Sequence, residues 1–192
     1  APFSLEAGRQ AELEQRVASR TAQLEAANAL PAAYLRKIFG SSEAKAWPKM
    51  RIGDASQVVS KGTTPTSVGC CFTDVGIPFL RAEDVTGDKV DPQGVAFHIN
   101  QETDKVLARS RLQVGDLLIT IAGTLGRIGY VGKDAPPMNC NQAVAFARLK
   151  TQLIDVQFAC LACQDEQTIG SLLRLKAGGG VQNINLEQVR NL

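Results

Sequence analysis

The sequence contains a single histidine, His98, and that scarcity excludes more chemistry than any motif in the chain admits. A hydrolytic triad would have to be built on this one imidazole. No Gly-x-Ser-x-Gly segment accompanies it, and no activated nucleophile stands out. A tetrahedral zinc site needs four nitrogen or sulfur ligands. Cys160-Leu161-Ala162-Cys163 is a lone C-x-x-C, and Cys70-Cys71 are adjacent rather than spaced. The C-x-x-C cysteines therefore read as small hydrophobes on the buried side of a helix. No apolar run reaches membrane-spanning length, and the N-terminus lacks a signal-peptide pattern. With five cysteines, an odd number, the expectation is reduced thiols in a cytoplasmic protein. There is no internal repeat and no low-complexity tract.

Other catalytic signatures are missing or broken. An adenine methyltransferase holds its flipped base with Asn/Asp-Pro-Pro-aromatic; Asp134-Ala135-Pro136-Pro137-Met138 has an inserted Ala and no aromatic, and reads as a loop. Gly123-x-x-Gly126-x-x-Gly129 lacks the Gly-x-Gly start of a dinucleotide fingerprint, and Gly178–Gly180 is not followed by Gly-Lys-Ser/Thr. Glu43-Ala44-Lys45 matches a nuclease E-x-K only superficially. It lies in a linker with no carboxylate-bearing strand before it, and reads as a solvated turn.

The remaining features describe an ordinary soluble domain with an extension. The 192 residues are 44% hydrophobic and 21% charged, with a net charge of +2 and a pI near 8.3. This weakly basic balance permits a nucleic-acid partner without requiring one. Residues 1–40 are rich in Ala, Glu, Gln, Leu and Arg, all good helix formers. Leu13, Val17, Arg20, Leu24, Ala27, Pro31, Tyr34 and Ile38 recur at alternating steps of four and three, a heptad-like seam with flaws at Arg20 and Pro31. Such a seam must be buried, either on the helix's own domain or against a partner helix. The charge-rich polar faces favour the partner. Pro31 is expected to kink the helix or restart it.

Residues 47–192 change texture to short strands and turns. The organising stretch is residues 112–132, LQVGDLLITIAGTLGRIGYVG, which reads as a β-hairpin with Thr124 and Arg127 on a glycine-flanked tip. Strands are predicted at 57–60, 76–85 and 143–147, a loop-rich stretch at 86–111, and helix at 153–176. That helix offers Ile154, Phe158, Leu161, Leu172, Leu173 and Leu175 as core. Residues 178–183 are expected to form a mobile loop. Asn185 should cap a final short helix, with Gln188 as the reciprocal partner. The loops carry amides, hydroxyls and guanidinium groups: Lys61, Thr63, Thr64, Arg81, Glu83, Asp84, Thr124, Arg127, Asn141, Gln142, Gln182 and Asn183. Such groups read base edges and hold phosphates. They also stabilise turns, and composition leaves both roles open.

The order of four segments resembles a target recognition domain of the DNA specificity subunit of type I restriction–modification enzymes. They are AANALPAAYLRKIF at 26–39; VSKGTT at 59–64 with IPFLRAEDV at 77–85; GDLLITIAGTLGRIGYV at 115–131 with NQA at 141–143; and GGGVQNINLEQVRNL at 178–192. The resemblance implies an α+β fold: a mixed α/β target recognition domain at 47–192, with short strands and a hairpin, preceded by a coiled-coil-type spacer helix at 1–40. It implies a non-catalytic subunit that binds double-stranded DNA and reads one half of a bipartite target through the loop residues named above. Arg81, Arg127, Gln182 and Asn183 are the first candidates for base or phosphate contact.

The partners implied are methyltransferase subunits and a motor-nuclease subunit, with no membrane. S-adenosylmethionine, ATP and Mg belong to those subunits, and no cofactor or metal to this chain. Leu13, Val17, Leu24, Ala27, Tyr34 and Ile38 would pair the helix, possible self-pairing included. The usual subunit has two recognition domains and two helical regions. One of each here means a dimerising half-subunit or, from the abrupt start within a helical pattern, a fragment. The alternatives are the recognition module of a fused methyltransferase-nuclease and a coiled-coil interaction module.

Overall fold

The computed structural model describes residues 2–174 and 183–192, with side chains from Gly8 to Leu173 and again from Asn183. The chain divides into two compact units, Ala1–Ala46 and Trp47–Leu192. No helix among the described residues is long and apolar enough to cross a membrane.

The first unit is α1 (Pro2–Phe39) followed by the single turn α2 (Ser42–Lys45). At about 1.5 Å per residue, α1 is roughly 57 Å long. It runs as one helix through Pro31, so the restart that proline suggested does not occur. Proline removes only its own N–H bond, and the surrounding helix formers carry the ladder past it. Arg36 and Lys37 in the last turn complement the helix dipole. Ser41 then accepts the Ala44 N–H at 3.0 Å and starts α2, which contains the E-x-K triplet as an exposed turn. Along α1, Leu13, Val17, Leu24, Tyr34 and Ile38 are each 48–64% exposed, and Ala27 is exposed as well.

The second unit contains, in order, α3 (Ile52–Ala55), β1 (Ser56–Lys61), β2 (Ile77–Leu80), β3 (His98–Ile99), α4 (Gln101–Val106), β4 (Arg111–Leu112), β5 (Asp116–Thr120), β6 (Ile128–Tyr130), β7 (Met138–Cys140), β8 (Val144–Leu149), α5 (Val156–Gln164), α6 (Glu166–Arg174) and α7 (Leu186–Arg190). One antiparallel sheet has the order β1-β8-β5-β6. The other, β3-β2-β7-β4, is mixed, with β2 and β7 parallel. The α+β class and the central hairpin are as the sequence suggested.

The first sheet is covered on both faces. Leu117, Ile119, Ala145, Ala147 and Leu149 pack with Ile52, Ala159, Cys160, Cys163, Leu172, Ile184 and Val189. Leu118, Val144 and Phe146 face the other way, toward Leu80, Val85, Val90, Leu112, Val131, Met138 and Cys140. This explains why β5 reads as an unbroken apolar run although its neighbours are antiparallel. A third cluster, Phe79, Ile99 and Leu107 with Phe72, Ile77 and Phe97, joins the second sheet to the segments beside it.

Several elements depart from expectation for local reasons. The strand foreseen at 76–85 stops at Leu80, because the Asp84 carboxylate accepts the Arg81 N–H at 2.7 Å and folds residues 82–84 into a 3₁₀ turn. The loop-rich stretch contains α4, capped by Asn100, which accepts the Thr103 N–H at 2.8 Å. Asn139 is fully buried in β7; its amide donates to Asp104 and to the Leu107 carbonyl, both at 3.1 Å. The helix foreseen at 153–176 is two, α5 and α6, parted at the buried Asp165.

Asp155 caps α5 by accepting the Gln157 and Phe158 N–H groups, and the resulting register turns Ala159, Cys160 and Cys163 inward. Phe158 and Leu161, expected in the core, are exposed, as is Leu173; Leu172 is buried and Ile154 partly so. Phe158 packs beside Trp47 at 6.0 Å between ring centroids. Leu175 lies outside the described residues. Burial pushes the Cys160 thiol up to about 11 and the Cys163 thiol up to about 12, so both stay protonated at neutral pH and serve as core. Asn185 and Gln188 form the reciprocal cap foreseen for α7, at 2.8 and 2.9 Å.

One ion pair lies inside the first sheet. Asp116 is fully buried and directly opposite Arg148. Arg148 donates through Nε and Nη2 to the two carboxylate oxygens, both at 2.9 Å, and the Gln113 N–H donates to the same carboxylate at 2.8 Å. Burial raises the Asp116 pKa above the usual carboxylate value, while Arg148 and the Gln113 N–H pull it down. Replacing Arg148 with Ala leaves that charge buried without its partner. It is expected to cost about 3–5 kcal/mol in urea unfolding.

The pH dependence has a definite sign. A carboxyl raised on folding contributes stability in full below its unfolded pKa and loses it as pH rises through the folded one. Removing Arg148 raises Asp116 further, so the variant's deficit is greatest at neutral pH and narrows as pH falls through the carboxylate range. Gly62 gives a second test of packing. A Cβ there would overlap the Cys140 and Asn141 carbonyl oxygens, so Gly62→Ala is expected to lower stability by more than about 2 kcal/mol in the same melts.

Candidate nucleic-acid interface

Strand direction collects most of the polar loops at one edge. In the first sheet, Lys61 at the end of β1 pairs with Ala145, and Thr120 at the end of β5 pairs with Val144. Ile128 at the start of β6 pairs with Ile119. The connections at 62–64, 121–127 and 141–143 therefore all leave the same side. Three backbone bonds tie these connections together and bring two further segments there. The Asn141 N–H donates to the Leu80 carbonyl at 2.9 Å, joining the turn at 81–84. The Ile121 N–H donates to the Ala143 carbonyl, and the Ile184 N–H to the Ile121 carbonyl, both at 2.8 Å.

Lys61, Thr63 and Thr64 face the Asn141–Gln142 loop. The Gly62 N–H donates to Val144 and the Thr63 N–H to Cys140, both at 3.1 Å. The Thr64 hydroxyl donates to the Gln142 side-chain carbonyl, tying two loops 78 residues apart. Asn141 uses its side-chain oxygen to accept the Ala143 N–H at 3.0 Å, the turn-stabilising role that composition had left open. Lys61 and Gln142 are exposed.

Arg81, Glu83, Asp84 and Arg127 form the second group. Arg81 Nε pairs with Glu83 Oε1 at 3.1 Å, and its guanidinium carbon lies 4.5 Å from the centroid of the Phe97 ring. Burial raises the Asp84 pKa, Glu83 adds to the rise, and Arg81 opposes it. Arg127 Nη1 donates to the Glu83 carbonyl at 3.3 Å. Its backbone N–H donates to the buried Thr120 hydroxyl at 2.8 Å.

The hairpin tip turns on Gly123 and Gly126, both at positive φ, and Gly126 sits close against Ile169 and Leu173 of α6. Thr124 is exposed on this tip. Arg127 also lines an open cleft of about 450 Å³ with Thr86, Gly87, Gly126, Ile128, Gln164 and Ile169. Among the described residues, Lys61 and Arg127 have no carboxylate ion pair, whereas the charge of Arg81 is met by Glu83.

Asn183 is exposed beside Ile184, and Gln182 lies outside the described residues. Thr120 and Phe97 position this edge but were not among the sequence candidates. Thr120 was detectable as the one hydroxyl closing an apolar run. Phe97 carried no sequence signal, since only the folded second sheet brings it under Arg81. No group of three His, Cys, Asp or Glu residues able to hold a metal occurs among the described residues.

No protein-family model matches the sequence. Over 77 residues, 40% of this chain, it is 36% identical to the type I restriction enzyme EcoBI specificity subunit of Escherichia coli, of which the match spans 15%. Two solved structures share the fold at 15% identity. One is a chain from a structure described as the basis of complex assembly and conformational transition of the type I R-M system, with a TM-score of 0.64 over 98% of this chain and 45% of that one. The other is the HsdS subunit from Thermoanaerobacter tengcongensis, with a TM-score of 0.54 over 95% of this chain and 43% of that one. The present chain thus spans less than half the length of these two solved chains. Over part of its length the chain is thus similar in sequence to a type I restriction enzyme specificity subunit, and over nearly all of its length it shares the fold of these two solved chains.

Proposed function

We propose that this chain reads one half of a bipartite DNA target for a type I restriction–modification complex and docks the methyltransferase and restriction subunits that act on it. The observation that carries the reading is the gathering of the Lys61–Thr64, Arg81–Asp84, Thr124–Arg127 and Asn141–Gln142 loops at one sheet edge, with Asn183 alongside. Arg127 is the main candidate for a base or phosphate contact, Lys61 supplies attraction to phosphate, and the Thr63, Thr64 and Thr124 groups set the approach of the backbone. The reaction itself belongs to the partners, with S-adenosylmethionine on the methyltransferase and ATP and Mg on the motor-nuclease.

The exposed seam of Leu13, Val17, Leu24, Ala27, Tyr34 and Ile38 on α1 supports pairing with a second helix, from another copy or from the rest of a longer subunit.

Arg127→Ala is expected to weaken binding to the cognate half-site by about 1–3 kcal/mol in a fluorescence titration. An equal loss on every sequence would make it a phosphate contact, and no loss would remove the hairpin tip from the interface. A four-residue insertion in α1 adds about 6 Å, roughly two base pairs of duplex. Methylome sequencing should then show the gap between half-sites widened accordingly. Methylation by the chain without any partner would instead favour a fused enzyme.

A further inference from the structure

We propose that Arg81 is a positioning residue, not a DNA contact: stacked on Phe97 and paired with Glu83, it fixes the turn whose carbonyl aims Arg127 at the duplex. This rests on the recognition reading above and names which of its two arginines touches DNA. Arg81 is anchored at three points. Its N–H is held by Asp84 at 2.7 Å, its Nε by Glu83 at 3.1 Å, and its guanidinium lies 4.5 Å from the Phe97 centroid. Phe97 is itself fixed. Phe72 meets it edge-on at 5.2 Å, Phe72 meets the buried Phe79 at 5.3 Å, and the Phe97 carbonyl accepts the Phe79 N–H at 2.8 Å. Through this stack the core of the second sheet reaches the surface turn.

The turn then acts on Arg127, whose two ends are held differently. Thr120 holds its backbone from within the sheet, and the Glu83 carbonyl holds its guanidinium at 3.3 Å. A single exposed bond of that length is weak by itself, so its direction depends on how firmly residues 81–84 are held. A long arginine left unconstrained would have to be ordered on binding, and pre-ordering it removes that cost. Glu83 meanwhile neutralises Arg81, which leaves Arg127 as the side chain of the pair with charge to offer.

The test is a double-mutant cycle on a duplex that the wild-type full chain selects from a random library. Arg81→Ala alone should lower affinity for that duplex about tenfold, and it should have no further effect in an Arg127→Ala background. Additive losses would overturn the proposal. Arg81→Lys keeps the charge but not the planar stack, so it should behave like Ala; recovery of affinity by Lys would show that Arg81 acts as a charge on phosphate. Phe97→Leu removes the stack while leaving both arginines in place, and should reproduce the loss even if the Arg81 variants fail to fold.

A second readout needs no DNA. In the free chain, the Nη–H resonances of Arg127 should be distinct in the wild type and move toward the averaged position in Arg81→Lys. Unmoved resonances would overturn the coupling. Should the wild type select no duplex, the recognition reading falls, while this measurement still decides whether Arg81 positions Arg127.

Discussion

Alignment of β5 with β8 governs the second unit, and the Asp116–Arg148 pair is the interaction that specifies it. Both strands are apolar on both faces, so burial alone distinguishes poorly between registers. Asp116 is fully buried and accepts two hydrogen bonds from the arginine directly across the ladder. A slip of the strands would leave that carboxylate in an apolar layer without its partner. An ion pair of this kind adds little net stability over a hydrophobic pair, but it penalises every other alignment.

That alignment has a consequence at the far end of the same strands. With Asp116 opposite Arg148, Thr120 falls opposite Val144, and the connections at 62–64, 121–127 and 141–143 leave together. The candidate surface is therefore a product of register. Its side chains are held by neighbours before any ligand arrives: Thr64 to Gln142, Asn141 to its own turn, Arg81 to Glu83 and Phe97, Arg127 to the Glu83 carbonyl. Pre-ordered polar groups lose less freedom on binding and tolerate fewer alternative poses, which suits the recognition role proposed for this surface.

Much of this was legible from residue order. Glycines and the apolar run marked the central hairpin, and Asn185 with Gln188 marked the last helix start. Leu13 to Ile38 marked a seam without a partner in its own helix, and the C-x-x-C pair was recognisable as core. Apart from the restart expected at Pro31, what was misread shares one cause. Asp84, Asn100, Asp155 and Asn139 each place a side-chain oxygen or amide on backbone or buried neighbours, and those bonds decide where strands stop and helices begin. Asp155, for instance, set the phase of α5 so that Phe158 and Leu161 face outward and Cys160 and Cys163 inward.

The sequence by itself determined the class of the fold, the long helix and its exposed apolar seam, and the set of polar side chains offered on loops. These follow from periodicity, glycine placement and composition, which act over a few residues. Only the tertiary structure decided which of those side chains share an edge, and which are held by a neighbour. Arg81 and Arg127 look equivalent in the sequence, and they differ because, among the described residues, Phe97 and Glu83 reach one guanidinium while only a backbone carbonyl reaches the other. The reason is that the Arg81–Phe97 and Arg127–Glu83 contacts join residues far apart in the chain, and only the folding of the two sheets brings them within range.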